Sequence, residues 1–178
     1  MPTYVAFLRA INLGANRKFP KDDIRRTVEA AGFSDVQTHI NTGNVRLTSS
    51  MRSRPKIEAT LEAAFAADRG FEVPTIVFTS AELSAIADDA LGLAEQHPGL
   101  ARHYIYLLKD EPSPELKSRV EATSSERGNM VVRGRAVHAL LWPGYQDGVV
   151  DPLGAARLLE PATNRNAAVI QAIVDKWC

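Results

Sequence analysis

Cysteine is almost missing from this chain. Cys178 is the only one in 178 residues, so a disulfide framework and a thiolate metal cage are both excluded. Net charge is missing too: Lys plus Arg and Asp plus Glu number 21 each, without the basic excess that marks a dedicated nucleic-acid binder. No apolar run approaches the ~18 residues a membrane helix needs. Near the start, Arg9 interrupts the stretch where a signal peptide would stay apolar, and the expected location is the cytoplasm. Gly-x-Ser-x-Gly, Gly-x-x-x-x-Gly-Lys and Gly-x-Gly-x-x-Gly do not occur, so hydrolase elbows, P-loops and dinucleotide fingerprints lack support. The four histidines, His39, His97, His103 and His138, are scattered, with no pair at i, i+4 spacing. Neither a metal nor a cofactor is expected, and no catalytic nucleophile, acid or base can be named.

What is present is an ordinary globular composition, 45% hydrophobic and 24% charged, which argues against a disordered or fibrous class. The charge is uneven along the chain. Residues 1–54 hold nine bases and four acids, a net of +5, whereas residues 55–101 hold two bases and eight acids, a net of −6. Two solvated helix faces of opposite sign, or a functional basic patch, would each produce this pattern.

The hydrophobic pattern places the elements. Tyr4–Leu8 is a short apolar run rich in strand formers. A polar loop follows over Asn12–Lys18. Pro20 suits the first helical position, Asp22 and Asp23 sit in the first turn, and Gly32 closes a helix striped by Ile24, Val28 and Ala31. Val36–Ile40 and Val45–Thr48 flank Asn41-Thr-Gly-Asn44 as a hairpin. A helix over Pro55–Asp68 and a strand over Val73–Thr79 complete a β-α-β-β-α-β order, the ferredoxin-like arrangement. Ser80 is expected to cap a further helix, with a loop over Gly92–Gly99. The pattern then restarts with a strand at Tyr104–Leu108, a helix at Ser113–Thr123, and a hairpin of Met130–Arg133 and Ala136–Trp142 turning at Gly134. A helical Leu153–Leu159 and a terminal helix over Ala167–Trp177 follow, and the last strand of the second repeat has no evident counterpart. The expected fold is α+β with two ferredoxin-like subdomains: residues 1–79, a connecting helix and loop over 80–101, and residues 102–178 with the C-terminal helix.

Candidate chemistry gathers at one edge of the first sheet. Taking strands one, two and four to run the same way, the loop after strand one, the hairpin and the turn after strand four meet there. That edge collects Arg9, Asn12, Gly14, Asn16, Asn41, Thr42, Gly43, Asn44, Thr79 and Ser80. Glycines let backbone N–H groups approach a ligand, asparagine both donates and accepts, and arginine clamps a carboxylate or phosphate. Turns require asparagine and glycine in any case, so both readings stand. A second cluster, Thr163-Asn164-Arg165-Asn166, precedes the terminal helix, where Thr163 or Asn164 can cap free N–H groups and a helix start suits an anion. His39 and His138 alternate with apolar neighbours and read as sheet-face residues. Base stacking on an RNA-recognition sheet needs exposed aromatics on the central strands, and Asn44-Val-Arg-Leu-Thr48 has none.

Three stretches carry a resemblance. Ala6-Phe-Leu-Arg-Ala-Ile-Asn-Leu-Gly14, Thr38-His-Ile-Asn-Thr-Gly-Asn-Val45 and Ala162-Thr-Asn-Arg-Asn166 resemble the L-R-G-I-N-V-G, T-Y-I-Q-S-G-N-V and A-T-x-R-N signatures of the domain-of-unknown-function family 1697. The resemblance implies two α+β subdomains similar to ferredoxin-like units and supplies no activity. Its signatures fall on Arg9, Asn12, Gly14, Gly43, Asn44, Arg165 and Asn166. The chain departs from the pattern at Ala10 (glycine in the family), at His39 (tyrosine), and at Asp147-Gly-Val-Val-Asp151, where a serine-lysine pair often stands.

The leading expectation is therefore a metal-free module that binds a small anionic ligand, a phosphate or carboxylate, through Arg9, Asn12, Gly14, Asn41, Gly43, Asn44, Arg165 and Asn166. The alternatives are weak association with a nucleic-acid backbone, for which the charge balance is unfavourable, and a non-catalytic structural or partner-binding protein, monomeric or homodimeric. No membrane partner is expected.

Overall fold

The apolar run near the N-terminus forms strand β1 (Thr3–Leu8) in a computed structural model that describes residues 1–144 and 151–178. Helix α1 (Lys21–Ala30), strands β2 (Ser34–His39) and β3 (Asn44–Thr48), helix α2 (Arg54–Arg69) and strand β4 (Thr75–Thr79) follow. They build one four-stranded sheet in the order β2-β3-β1-β4, every neighbouring pair antiparallel. Order and connectivity are consistent with a ferredoxin-like arrangement. The chain forms two compact units, Met1–Leu83 with Trp177–Cys178, and Ser84–Lys176.

In the first unit, alternation along β1 sends Tyr4, Ala6 and Leu8 to one face, where they join Val45, Leu47 and Val77 and pack under the helix residues Ile24, Val28, Ile57, Leu61 and Phe65. Each fully buried large side chain there contributes roughly 1.5–3 kcal/mol. Phe19, from the loop ahead of α1, meets Phe65 edge to face with centroids 5.3 Å apart. Pro20 stands one position before the helix, as the N-cap residue of α1.

The direction of β4 corrects one sequence expectation. Leu8 lies opposite Thr75 and Tyr4 opposite Thr79, so β4 runs against β1. A hairpin reverses β3, and the crossover through α2 returns β4 parallel to β3, hence antiparallel to β1. Thr79 and Ser80 consequently sit at the Tyr4 end of the sheet, opposite the end that carries Arg9. Carboxylates line the outer edge of β4: the N–H groups of Thr75, Val77 and Thr79 donate to Glu62 Oε1 (2.9 Å), Glu58 Oε1 (3.1 Å) and Glu82 Oε2 (2.8 Å). Sheet edges left with unanswered N–H groups invite foreign strands, and these carboxylates answer them.

Helix α3 (Ser80–Gln96) starts in the first unit and continues into the second. Its cap is Thr79, where the sequence suggested Ser80: Thr79 Oγ1 accepts the Glu82 N–H at 3.1 Å while Glu82 Oε2 receives the Thr79 N–H, a reciprocal capping box. The helix also runs through Gly92 to Gln96, part of the stretch read as a loop; Leu93, buried on its inner side, extends the apolar stripe past the glycine.

The second unit holds β5 (Arg102–Leu108), α4 (Pro114–Glu121), β6 (Gly128–Arg133), β7 (Ala136–Leu141), a 3-10 turn at Ala156–Leu158, β8 (Ala162–Asn166) and all of α5 (Ala167–Trp177) but its last residue. Its antiparallel sheet has the order β6-β7-β5-β8, the same arrangement as the first. Strand β8 is the final strand that the pattern did not show. Its residues, Ala-Thr-Asn-Arg-Asn, have no apolar alternation, and pairing along β5 alone makes them a strand. Where a helix was expected over Leu153–Leu159, only the 3-10 turn forms. Tyr106, Leu108, Met130, Val132, Val137 and Ala139 pack with Val120 and Leu159 on one face of this sheet.

Candidate functional site

Strand β1 ends where its apolar run ends, and the chain then turns sharply. The Arg9 N–H donates to the Pro74 carbonyl at 2.9 Å, and Arg9 is half-buried. Ala10 (φ 56°), Asn12 (φ 55°) and Arg17 (φ 57°) all adopt left-handed backbone, which for alanine and arginine is uncommon. Asn12 holds this conformation in place. Its Nδ2 donates to the Asn41 carbonyl at 2.8 Å and to the Phe19 carbonyl at 3.0 Å, while its Oδ1 accepts the Phe19 N–H at 2.8 Å. Arg17 Nε donates to the Ala10 carbonyl at 2.7 Å, and its guanidinium covers the Phe71 ring at 4.6 Å.

The β2–β3 hairpin closes against the same end. The Gly43 carbonyl accepts the Leu8 N–H at 2.8 Å, and a Cβ added at Gly43 would stand 2.8 Å from Leu8 Cβ. With φ at 82° as well, only glycine fits. Asn44 is fully buried, its Nδ2 donating to the His39 carbonyl at 3.0 Å and to Thr42 Oγ1 at 2.9 Å. Ile40, exposed beside the turn, has φ 51°, an outlier for a β-branched residue. Thus Arg9, Asn12, Gly14, Asn41, Gly43 and Asn44 share one end of the first unit, and they divide by role. Asn12, Gly43 and Asn44 build the turns, whereas Gly14 and Asn41 are exposed together with Asn16, Lys18 and Thr42.

Among the nine bases of residues 1–54, Arg25, Arg26 and Arg54 pair with acids of the same unit. Arg26 reaches Asp23 (3.1 Å) and Asp68 (3.7 Å), Arg69 reaches Asp68 (2.8 Å) and Asp23 (3.5 Å), Arg54 pairs with Glu58 (3.2 Å) and Arg25 with Glu29 (3.9 Å). These pairs join Arg25, Arg26 and Arg54 of the basic segment, and Arg69 of the acidic one, to acids of α1 and α2, so opposite charges of the two segments meet among the helices of this unit.

Arg165 and Asn166 belong to the second unit. Arg165 is buried at 7% exposure, and one of its terminal guanidinium nitrogens donates to Thr163 Oγ1 at 2.8 Å and to the Asn164 carbonyl at 2.7 Å. Burial pulls its pKa down to about 10. Asn166 Oδ1 accepts the Ala168 N–H at 2.9 Å, which makes Asn166 the capping residue at the start of α5, where Thr163 or Asn164 was expected. Of the departure at Asp147-Gly-Val-Val-Asp151, residues 147–150 lie outside the described residues. Asp151 accepts the N–H groups of Ala155 (3.0 Å) and Ala156 (3.1 Å) and so anchors the 3-10 turn.

Sequence reasoning missed the pairing of His103 with His138, whose Nε2 and Nδ1 lie 2.9 Å apart. His138 falls on a predicted strand and His103 one residue before another, and only the register between β5 and β7, with His103 facing Leu140 and Ile105 facing His138, brings them together. The second unit also has a shallow depression of about 220 Å³ lined by Leu108, Pro112, Leu116, Leu158 and Pro161. It is smaller than ordinary ligand pockets, and its hydroxyl, Ser113 Oγ, is committed to the Leu116 N–H at 3.1 Å. Among the described residues, no group of three or more His, Cys, Asp or Glu could hold a metal ion, and no helix is long and apolar enough to cross a membrane.

Fold and site together define an α+β protein of two similar sheet-and-helix units. The chain belongs to the family described as protein of unknown function (DUF1697), whose model matches residues 1–138. That match includes the first two of the three signature stretches. Ala162–Asn166 lies beyond it. In structure the chain is similar to the conserved bacterial protein SP0830 from Streptococcus pneumoniae, with a TM-score of 0.76, 20% identity, and coverage of 99% of this chain and 98% of that one. At that identity the likeness shows the fold alone. No curated protein matches the chain.

Proposed function

We propose that the first unit is a binding module for a small anionic ligand, held at the rim formed by the loop after β1 and the β2–β3 hairpin. One observation carries this reading: the Asn12 side chain braces its own loop through two hydrogen bonds to Phe19 and ties that loop to the hairpin through a third, to the Asn41 carbonyl, while Ala10 and Ile40, residues without glycine's freedom, are kept in left-handed backbone. Conformations of this kind cost about 1–3 kcal/mol each and concentrate where a site must be preorganised. In this reading Asn12, Gly43 and Asn44 are the frame. Arg9, the exposed Asn41 and the backbone around Gly14 face the ligand, since N–H groups of left-handed turns and a guanidinium both favour phosphate or carboxylate oxygens. Arg165 and Asn166 enter as structural residues of the second unit.

Thermal-shift measurements with inorganic phosphate, ATP and citrate test the proposal on the full chain. A ligand at a hundredfold excess over its Kd should stabilise by about 2.7 kcal/mol, and Arg9→Ala should remove that gain while leaving the unliganded midpoint within about 1 kcal/mol of wild type. Absence of stabilisation by any of the three, or a shift that Arg9→Ala leaves intact, overturns the reading.

A further inference from the structure

The strands of the second sheet turn His103, Ile105 and Leu107 of β5, His138 of β7, Arg133 of β6 and Thr163 and Arg165 of β8 to the same face, as their register requires. His138 is 0% exposed, and its Nε2 has no hydrogen-bond partner. Its Nδ1 and His103 Nε2 share one hydrogen bond of 2.9 Å, so a single proton lies between the two rings. A first added proton places a cation on this face, and a second puts N–H groups on both facing nitrogens and severs the bond.

Among the described residues, no acidic group on this face would stabilise that charge. The titratable or charged groups they place beside the pair are the two rings themselves, Arg133 and Arg165. The charged residues of α3 (Asp88, Asp89 and Glu95) and of α5 (Asp175 and Lys176) are exposed, and α4 packs toward β6 on the opposite face with Val120 as its buried residue. Burial holds His103 down to about 4. Burial, then the neighbouring His103 and Arg133, hold His138 down to about 3. A histidine whose folded pKa lies below its unfolded value near 6.5 contributes stability that is complete above pH 6.5 and is lost as pH falls toward 4 and 3.

We propose that the His103–His138 pair is an acid-operated lock on the second unit: when both rings are neutral it fastens β5 to β7, and on acidification it releases that sheet while the first stays closed. The first unit contains no buried histidine, and its buried carboxylate, Glu58, is held by Arg54 and by the Val77 N–H. Amide exchange on the full chain at pH 7.5, 6.0 and 5.0, corrected for intrinsic rates, reads the two sheets separately. Below pH 6.5 the opening constant of β5–β7 should rise about tenfold per pH unit for each proton taken up, while that of β1–β4 stays flat over the same range. His103→Gln, at a half-buried position, and His138→Leu should each weaken or abolish that rise. Equal slopes in wild type and His103→Gln, or a first sheet that opens with the same slope, overturns the proposal. Ring-proton NMR of the wild type needs no variant: midpoints below pH 5 for both rings support the lock, and a midpoint above pH 6 for either one sinks it.

Discussion

The two units have the same strand order but place their polar groups differently. In the first, β1, β3 and β4 carry mainly apolar residues inward, two helices cover one face, Asn12 and Asn41 stand in the connections, and the buried polar residues Asn44, Thr48 and Thr75 stand at the terminal positions of their strands. In the second, one short helix and a 3-10 turn stand where two helices would be expected, and His138, Thr163 and Arg165 are buried within the sheet itself. A polar group at a turn satisfies itself on nearby backbone and leaves the strands undisturbed. One in mid-strand must find its partner on its own strand, as Arg165 does with Thr163 and Asn164, or across the sheet, as His138 Nδ1 does with His103, and an atom left unpaired costs about 1–3 kcal/mol. The comparison teaches that a shared strand order does not prescribe where an architecture keeps its polar chemistry.

Substitutions can break this contrast, beginning with the strongest. Phe65→Ala removes a fully buried ring of α2 that packs edge to face on Phe19. Chemical denaturation should show a loss of about 3–5 kcal/mol. The matching deletion in the second unit, Val120→Ala on α4, should cost only about 2 kcal/mol, because a smaller side chain leaves a smaller cavity. Equal losses would show that the single helix bears as much of its core as the pair does.

Glycines sharpen the comparison further. A Cβ at Gly128 would stand 2.3 Å from the Leu140 carbonyl oxygen, against backbone, whereas at Gly43 the nearest obstacle is the Leu8 Cβ at 2.8 Å. Gly128→Ala should therefore cost about 3 kcal/mol by forcing β6 away from β7, and Gly43→Ala about 2 kcal/mol by strain and crowding at the hairpin. Urea midpoints of the two variants decide the order. Asn12→Ala deletes three side-chain hydrogen bonds at once and should cost about 2 kcal/mol, with faster amide exchange confined to the loop and hairpin. If exchange accelerates throughout β1–β4, Asn12 supports the whole sheet. Arg9→Ala is the mildest change, within about 1 kcal/mol for a half-buried residue outside the core; a larger loss would make it a structural arginine.

Much of the first unit was legible in its sequence because its signals are local. Ile24 and Val28, and Ile57, Leu61 and Phe65, repeat at helical spacing, Asn41-Thr-Gly-Asn44 announces a turn, and Arg9, Asn12, Gly43 and Asn44 stand out by residue type. Their division into frame and exposed rim was not legible, since Asn12 finds Phe19 and Asn41 only after the loop has folded back. Thr79 and Ser80 were assigned to the wrong end because strand direction depends on how the crossover packs. Strand β8 was invisible for a related reason: Ala162–Asn166 has no strand pattern of its own and pairs because β5 offers an edge.

From its amino acids alone the protein had already settled where most helices form, which apolar runs become strands and where the hairpins turn, because periodicity and turn preference act over a few residues; the exceptions are Leu153–Leu159, a 3-10 turn instead of a helix, and Gly92–Gln96, helical instead of a loop. Tertiary packing decided the direction of β4, the existence of β8, the closure of the Asn12 bridge and the meeting of His103 with His138. Each of these joins residues far apart in the chain, and only burial of the shared sheet faces supplies the free energy that selects one register over another.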